Sequence, residues 1–310
     1  MYPPKPYIEK EPGRKGNAAV TVFSLMLFAL SFVLFFGAQL GFLLQLIFVI
    51  VFHEIGHYFF MKKFNYENVR MLFVPLMGAF VHGLKDRYKQ KQSILVVLAG
   101  PIPGVILGVT CWILGLEFHI EWLFQLALLL FLVNCSNLIP IFPLDGGRIV
   151  DLLFPKNSGL FHVVFTLIVS LAMIAFGYFY EMYLILIMGF LLGFQVRKMH
   201  QKYLIFCDLK SDKINIETAY ENLSDQSFYM IKDIVLTYKP GLKRMVENIG
   251  FDNEEIRQIV AIEVKNTLLP PMDFNLKTSY KIAVIACWAL AFFGPIYLVL
   301  QSKLFLNGAF

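Results

Sequence analysis

The pentapeptide HEIGH (residues 53–57) lies inside an apolar run that extends from about Gly41 to Phe60. Because successive turns of an α-helix stack every three to four residues, two histidines four positions apart project from one helix face. Both imidazoles can then reach one metal ion, while the neighbouring Glu54 is free to transfer a proton. A carboxylate at this depth in lipid is costly unless it has a partner or a function. The apolar flanks therefore favour a metal site over a surface helix with unrelated polar residues.

The composition places the chain among membrane proteins. Of its 310 residues, 58% are hydrophobic and 16% are charged, whereas soluble domains carry about 25% charged residues. The apolar residues gather in runs of about 20, the length at which a helix spans a bilayer. The net charge of +5 does not indicate a nucleic-acid partner, because the lysines and arginines cluster between these runs.

The apolar runs predict an all-α polytopic membrane protein with about seven spans. They cover approximately residues 18–37, 41–61, 93–116, 122 onward, 159–180, 182–196 and 281–301. The first run is longer than the apolar core of a signal peptide and has no small-residue cleavage site after it, so we expect it to remain as an anchor. The predicted division is a cytoplasmic N-terminal segment (1–17), a membrane core (18–196), a soluble domain (197–279), and a last span with its tail (280–310).

A short apolar segment after the HEIGH span differs from the others. Residues 71–84 are too few to cross a bilayer as a helix and contain Pro75, Gly78 and Gly83. Two short strands around Pro75 and Gly78 would form a β-hairpin, at about residues 66–90, that enters the membrane without crossing it. A loop on the protein surface is the alternative.

The polar stretch 197–279 is expected to form a small, mainly helical domain. Ser224 is a predicted N-cap of one helix, and Asp252 with Glu255 resembles a capping box for another. Gly250 is expected to end the helix between them. The sequence of this stretch contains no metal-ligand cluster, phosphate-binding loop or basic patch.

The distribution of basic residues predicts the orientation. With the N-terminus in the cytoplasm, nearly all lysines and arginines between the spans also lie on the cytoplasmic side. This arrangement places the HEIGH motif and residues 144–147 towards the cytoplasmic half of the membrane, and it makes 197–279 a cytoplasmic domain. We therefore expect a multi-pass protein of the cell membrane.

The metal site needs a third ligand. A catalytic zinc ion usually has three protein ligands and one position for water. Asp145 is the other carboxylate at the end of an apolar span on the same side, and spans 2 and 4 can bring it to the depth of His57. Because Pro140 and Pro143 interrupt the helix, Asp145 is expected to lie on extended chain.

Other potential ligands have simpler interpretations. His82, His119, His162 and His200 lie near the ends of apolar segments and are interpreted as interfacial residues. The four cysteines (Cys111, Cys135, Cys207 and Cys287) contain no C-x-x-C pair, and most lie in apolar runs. We expect neither a disulfide framework nor a thiolate metal site.

Several motifs together resemble one family. HEIGHY (53–58) on an early span, AGP (99–101) at the start of a later one, and NLIP (137–140) followed by LDGGR (144–148) are similar to the site-2 protease family of intramembrane zinc metalloproteases. The resemblance covers roughly residues 40–150. The chain departs from better-known members because it has no PDZ-like segment and no CBS-like pair.

The resemblance implies a set of roles. One zinc ion per chain would be held by His53, His57 and Asp145, with Glu54 as the catalytic base. Asn137 would contact the substrate backbone near the scissile bond, and a re-entrant β-hairpin would follow the HExxH span.

The predicted function is therefore an intramembrane zinc endopeptidase that hydrolyses a peptide bond in or near the membrane segment of a single-span protein. Its partners would be that substrate, the lipid bilayer, and a protein bound by the 197–279 domain. Two alternatives are an inactive homologue that serves as a binding or regulatory partner, and a metal-ion carrier. Intact Glu54 and a full ligand set argue against the first, and polar groups gathered at one depth argue against the second.

Overall fold

A computed structural model describes residues 2–8, 18–37, 40–75, 78–85, 87–155, 158–269 and 271–307. The chain forms two compact units. The first unit, which contains the HEIGH motif, comprises residues 13–85, 89–153 and 274–310. The second unit comprises residues 1–12, 86–88 and 154–273.

The first unit is built from helices and one β-hairpin. In chain order its elements are α1 (Ala18–Phe36), α2 (Leu40–Lys63), β1 (Glu67–Val74), β2 (Gly78–Leu84), α3 (Gln90–Leu98), α4 (Pro101–Phe118), α5 (Glu121–Asn137), α6 (Asp145–Leu153) and α12 (Thr278–Asn307). A short strand, β3 (Tyr88–Lys89), precedes α3. Helices α1, α2, α4 and α5 share a core that includes Phe28, Val49, Ala127 and Leu130.

Within the described ranges, four helical stretches are long and apolar enough to span a membrane. They are Leu40–Lys63, Gln90–Phe118, Ser158–Phe179 and Thr278–Gln301, and two shorter apolar helices cover Ala18–Leu34 and Glu121–Asn137. A helix in lipid satisfies its own backbone polar groups, which is why such apolar segments become helices. The mostly helical membrane fold is confirmed, and the count of about seven spans stays a prediction.

The predicted β-hairpin is present. Strands β1 and β2 pair antiparallel, with Met71 opposite Val81 and Phe73 opposite Ala79. Helix α1 covers the outer edge of β1: Thr21 Oγ1 donates to the Met71 carbonyl at 2.8 Å, and the Phe73 amide donates to Ser24 Oγ at 3.2 Å. Two backbone groups on this edge of the small sheet are therefore already hydrogen-bonded.

Glycines allow α4 to pack closely on α5. A Cβ atom at Gly104 would collide with the side chain of Asn134, and one at Gly108 would collide with Phe131. Small residues at these positions let the two neighbouring helices come together.

The expectation that Asp145 lies on extended chain is wrong. Helix α5 ends at Asn137, as the two prolines predict, but Asp145 is the first residue of α6. Gly146 and Gly147 pack so tightly on the backbone of Leu138 and Ile141 that a Cβ at either position would clash. This packing lets the chain resume a helix immediately after the break.

The second unit is a helical array. Its elements are α7 (Ser158–Phe179), α8 (Tyr183–Ser211), a 3-10 helix (Tyr220–Asn222), α9 (Asp225–Tyr238), α10 (Pro240–Ile249), α11 (Glu254–Thr267) and β4 (Met272–Asp273). Phe228, Ile231, Val260 and Val264 are fully buried in a core between α9 and α11, to which α8 contributes Leu209.

The helix caps of this unit test three predictions. Ser224 caps α9 by accepting a hydrogen bond from the Ser227 amide, and Gly250 ends α10 with φ of 92°. Both predictions are confirmed. The capping box at Asp252 is wrong, because the side chain of the next residue, Asn253, accepts from the first amides of α11.

Helix α8 is continuous across residue 197, at which the soluble domain was predicted to begin. Its Ile205 and Leu209 are buried in the core of the second unit. The boundary between membrane core and soluble domain at residue 197 stays a prediction.

Candidate metal centre

Three buried side chains in the first unit converge on one point. Nε2 of His57 lies 3.1 Å from Nε2 of His53 and 3.1 Å from Oδ2 of Asp145, and the third separation is 3.2 Å. The exposed fractions of His53, His57 and Asp145 are 3%, 6% and 5%. The histidines stand one turn apart on α2, and α6 supplies the carboxylate from its first residue.

This donor set fits zinc. Tetrahedral zinc with bonds of about 2.0 Å separates neighbouring ligand atoms by about 3.3 Å, close to the three distances measured here. Imidazole nitrogen and carboxylate oxygen are both donors that zinc accepts. Three such donors leave one position of a tetrahedral ion for water. Among the residues that the structure describes, this is the one group of three or more His, Cys, Asp or Glu side chains placed to hold a metal ion.

Hydrogen bonds fix both imidazoles with Nε2 towards the centre. Nδ1 of His53 lies 2.8 Å from Oδ1 of Asn134, and Nδ1 of His57 lies 2.8 Å from the carbonyl oxygen of Val96. Since both partners are oxygen acceptors, each Nδ1 carries the hydrogen and each Nε2 keeps its lone pair for a metal. The Asn134 amide is oriented in turn, because its Nδ2 donates to the Leu130 carbonyl at 2.7 Å.

Glu54 is buried beside the two histidines, with 6% of its surface exposed. Within the described part of the chain, its Oε2 atom has no hydrogen-bond partner. A buried carboxylate oxygen without a partner is costly. The role of Glu54 as the catalytic base stays a prediction.

Glycines bring the start of α4 against the ligand helix. A Cβ atom at Gly100 would collide with the imidazoles of His53 and His57, and one at Gly56 would collide with the Ala99 carbonyl. The glycine of the AGP motif (99–101) is therefore required for packing, since a larger residue at position 100 would displace the two imidazoles.

Side chains at the other end of α6 hold the Asp145 helix in place. Gln90 is 1% exposed, and its Nε2 donates to the Leu152 carbonyl at 2.5 Å while its Oε1 accepts from the Leu276 amide at 3.2 Å. Lys281 of α12 donates to the Leu153 carbonyl at 3.1 Å. These bonds satisfy carbonyls that a helix C-terminus otherwise leaves without partners.

The other predicted residues lie outside the ligand cluster. Asn137 is half-buried at the end of α5, where its Nδ2 donates to the Val133 carbonyl at 3.0 Å. His82, His119, His162 and His200 are not members of the group. Sequence reasoning missed Asn134, although an asparagine inside an apolar helix is a signal that a buried polar partner exists.

Part of the chain is similar to a known protein family. Residues 41–120 match the model of peptidase family M50. Over this segment the chain is similar to peptidase family M50. The predicted resemblance to the site-2 proteases is thereby confirmed, and the matched segment contains HEIGH and AGP, while Asp145 lies outside it.

Two curated relatives are similar to part of the chain. A zinc metalloprotease of Methanocaldococcus jannaschii is 31% identical over 115 residues, which is 36% of this chain and 33% of that protein. Stage IV sporulation protein FB of Bacillus subtilis is 31% identical over 119 residues, which is 37% of this chain and 41% of that protein. The chain thus matches about a third to two fifths of the length of these relatives.

A solved structure, the site-2 protease from Methanocaldococcus jannaschii, aligns with a TM-score of 0.43 at 22% identity, covering 57% of this chain and 88% of that one. The predicted resemblance to zinc metalloproteases is supported by the M50 match and by the name of the first curated relative. The activity of this particular chain is a separate proposal.

The Asn134 contact gives a testable prediction. Replacing Asn134 with leucine removes the acceptor that holds His53, and loss of such outer partners typically lowers metal affinity or activity by about 10–100-fold. Asn134→Asp keeps an oxygen acceptor and is expected to recover most of the loss. Zinc affinity measured by competition with a fluorescent chelator, together with cleavage rate, would check both variants. Equal zinc affinity in Asn134→Leu and the unaltered protein would contradict the assigned contact.

Proposed function

We propose that this chain is an intramembrane zinc endopeptidase that cleaves the membrane segment of a single-span protein. The observation that carries the proposal is the buried triangle of His53, His57 and Asp145 next to Glu54, whose Oε2 atom has no hydrogen-bond partner among the described residues. We assign one zinc ion per chain, because the donor set forms one three-ligand site.

The side chains around this site suit peptide hydrolysis. A zinc ion held by His53, His57 and Asp145 would supply Lewis acidity, which polarises a peptide carbonyl and lowers the pKa of a water molecule to about 7. Glu54 accepts a proton from the attacking water and returns it to the leaving amine. Asn137, at the end of α5, is proposed to donate a hydrogen bond to the substrate backbone.

The hairpin offers one edge to the substrate. A membrane helix shields its peptide groups by its own hydrogen bonds, so the substrate must unwind before it is cut. An unwound segment can add to a sheet edge as an extra strand. Because Thr21 and Ser24 already bond the outer edge of β1, we assign the substrate to the edge of β2.

The register identifies the β2 groups that face this edge. The Met71 carbonyl and the Phe73 amide point towards α1 rather than towards β2. The backbone groups of the opposite residues, Val81 and Ala79, therefore point away from β1. In an antiparallel ladder, directly opposed residues share the same hydrogen-bonding state. The amides of Ala79 and Val81 are therefore available to an added strand.

Replacing Ala79 with proline tests this assignment together with the activity. Proline removes the outward amide without removing a β1–β2 bond, and the loss of one hydrogen bond is expected to lower kcat/KM by about 5–10-fold. Ala79→Val adds side-chain bulk but keeps the amide, so it is the matched control. The measurement is cleavage of a purified single-span substrate in detergent with zinc. No cleavage by the unaltered protein would refute the endopeptidase, whereas equal rates for both variants would refute only the β2 edge.

The orientation belongs to the same proposal. Lysines and arginines between the spans concentrate on the side of the N-terminus and of residues 197–279, which we place in the cytoplasm. The active site then opens towards the cytoplasmic half of the membrane. A protein partner for residues 197–279 is part of this proposal.

A further inference from the structure

The N-terminal segment (residues 2–8) lies along the helices of the second unit. Pro6 is buried, Lys5 and Ile8 are half-buried, and Ile8 packs against the core between α9 and α11. The segment follows six residues that we call the segment groove: Tyr220, Glu221, Leu223, Asp225, Tyr229 and Gln258.

Lys5 makes the densest set of contacts. Its ammonium group donates to the carbonyls of Tyr220 at 2.8 Å, Glu221 at 3.0 Å, and Leu223. All three hydrogens of a lysine ammonium are thereby used. The same nitrogen lies 5.3 Å from the centre of the Tyr220 ring, a distance typical of a cation–π contact.

The backbone of the segment is also recognised. The Lys5 amide donates to Oδ1 of Asp225 at 2.8 Å, Tyr220 Oη donates to the Pro6 carbonyl at 2.7 Å, and Gln258 donates to the Tyr7 carbonyl at 2.8 Å. Burial, together with neighbouring Tyr229 and Asp225, raises the pKa of Tyr220 to about 12, so its hydroxyl keeps the donated proton.

Aromatic stacking extends the contact to the start of the segment. The rings of Tyr2 and Tyr229 stack with centroids 5.7 Å apart and planes inclined by 20°. Three prolines, at positions 3, 4 and 6, restrict the backbone to extended conformations. Such a segment loses little entropy on docking to an aromatic groove, as in other domains that bind proline-rich peptides.

From these contacts we propose that the segment groove is a peptide-binding site for extended lysine–proline segments, and that residues 2–8 occupy it in cis as an exchangeable ligand. The partner that would compete is a protein presenting a lysine followed by proline in an extended, aromatic-flanked stretch. Three carbonyls around one point select the compact ammonium of lysine over the planar guanidinium of arginine. The proposal is independent of the proteolytic activity.

The N-terminal segment is joined through the chain to the first unit. Residues 9–17 connect the segment directly to α1, and α1 supplies Thr21 and Ser24 to the β-hairpin.

The test uses the chain in detergent and a synthetic peptide of residues 2–8 with blocked ends and a fluorescent label. A variant lacking residues 2–8 is expected to bind the peptide saturably, and the full chain at least about 10-fold more weakly because its groove is filled. Peptides with Lys5→Met or Lys5→Arg are expected to bind at least about 10-fold more weakly than the parent. Methionine cannot donate to the three carbonyls, and the planar guanidinium of arginine does not match their arrangement around one point. Equal binding to both proteins, or equal binding of the Lys5→Met peptide, would overturn the proposal.

A second variant keeps the test decisive if the shortened chain fails to fold. Lys5→Met in the full chain weakens the cis segment and is expected to bind the parent peptide more tightly than the unaltered chain does. Its backbone amides at 220–229 are expected to exchange with solvent faster, and added peptide restores their protection. Lys10→Met removes the same charge from the N-terminal region and serves as the control. Unchanged exchange and unchanged peptide binding in Lys5→Met would show a fixed structural terminus.

Discussion

Replacing Glu54 with glutamine is expected to reduce cleavage of a single-span substrate by at least about 100-fold, the lower range for loss of a general acid–base group. The substitution preserves side-chain volume and removes the group that accepts and returns the proton. Because Glu54 is not a member of the ligand triangle, zinc content is expected to be unchanged. The measurement is product formation per zinc-loaded protein, in detergent and in lipid vesicles.

Glu117 supplies a matched control for this substitution. It is an exposed carboxylate near the end of α4, so Glu117→Gln is expected to cleave at the unaltered rate. Retained activity in Glu54→Gln would remove Glu54 from the mechanism. Loss of both zinc and activity would instead assign Glu54 a role in building the site.

Replacing a ligand is expected to remove zinc as well as activity. Asp145→Asn keeps the shape of the side chain but exchanges a carboxylate for a neutral amide, and His57→Ala removes a donor altogether. Each loss should exceed the roughly 10–100-fold drop in affinity typical of changes to outer partners. Zinc remaining after dialysis against a weak chelator, measured by mass spectrometry of the metal, gives the result directly.

His119 is the control for the histidine substitution, since it is exposed at the end of α4 and lies outside the ligand group. His119→Ala is expected to keep full zinc and full activity. Stoichiometric zinc in Asp145→Asn and His57→Ala would mean that the ion binds elsewhere. The metal-carrier alternative predicts rapid zinc exchange in the unaltered protein, whereas a catalytic site holds its ion through dialysis.

The residues of the candidate metal site could be predicted from sequence because a polar side chain in an apolar segment carries an unusual energetic cost. Two histidines and a glutamate inside a 20-residue apolar run need a function or a partner, and helical geometry places both imidazoles on one face. Asp145 could be predicted, although it is distant in sequence, because a catalytic zinc ion usually has three protein ligands and the two histidines supply only two. The hairpin was predictable because 71–84 is apolar yet too short to span.

Other features depend on tertiary contacts that local patterns do not contain. Asn134 matters because Gly104 lets α4 approach it and His53 lies within hydrogen-bond distance, and neither neighbour is adjacent in sequence. The helical start at Asp145 depends on Gly146 packing against the Leu138 carbonyl. The docking of residues 2–8 depends on carbonyls more than 200 positions away.

The central claim is that His53, His57 and Asp145 hold one zinc ion inside the membrane part of this chain. X-ray absorption at the zinc edge of the purified, active protein, combined with its metal content, tests this claim most directly. The account predicts one zinc ion per chain, bound by two imidazole nitrogens and by oxygen donors at about 2.0–2.2 Å. A sulfur shell at about 2.3 Å, or full activity in protein that contains no zinc, would contradict it.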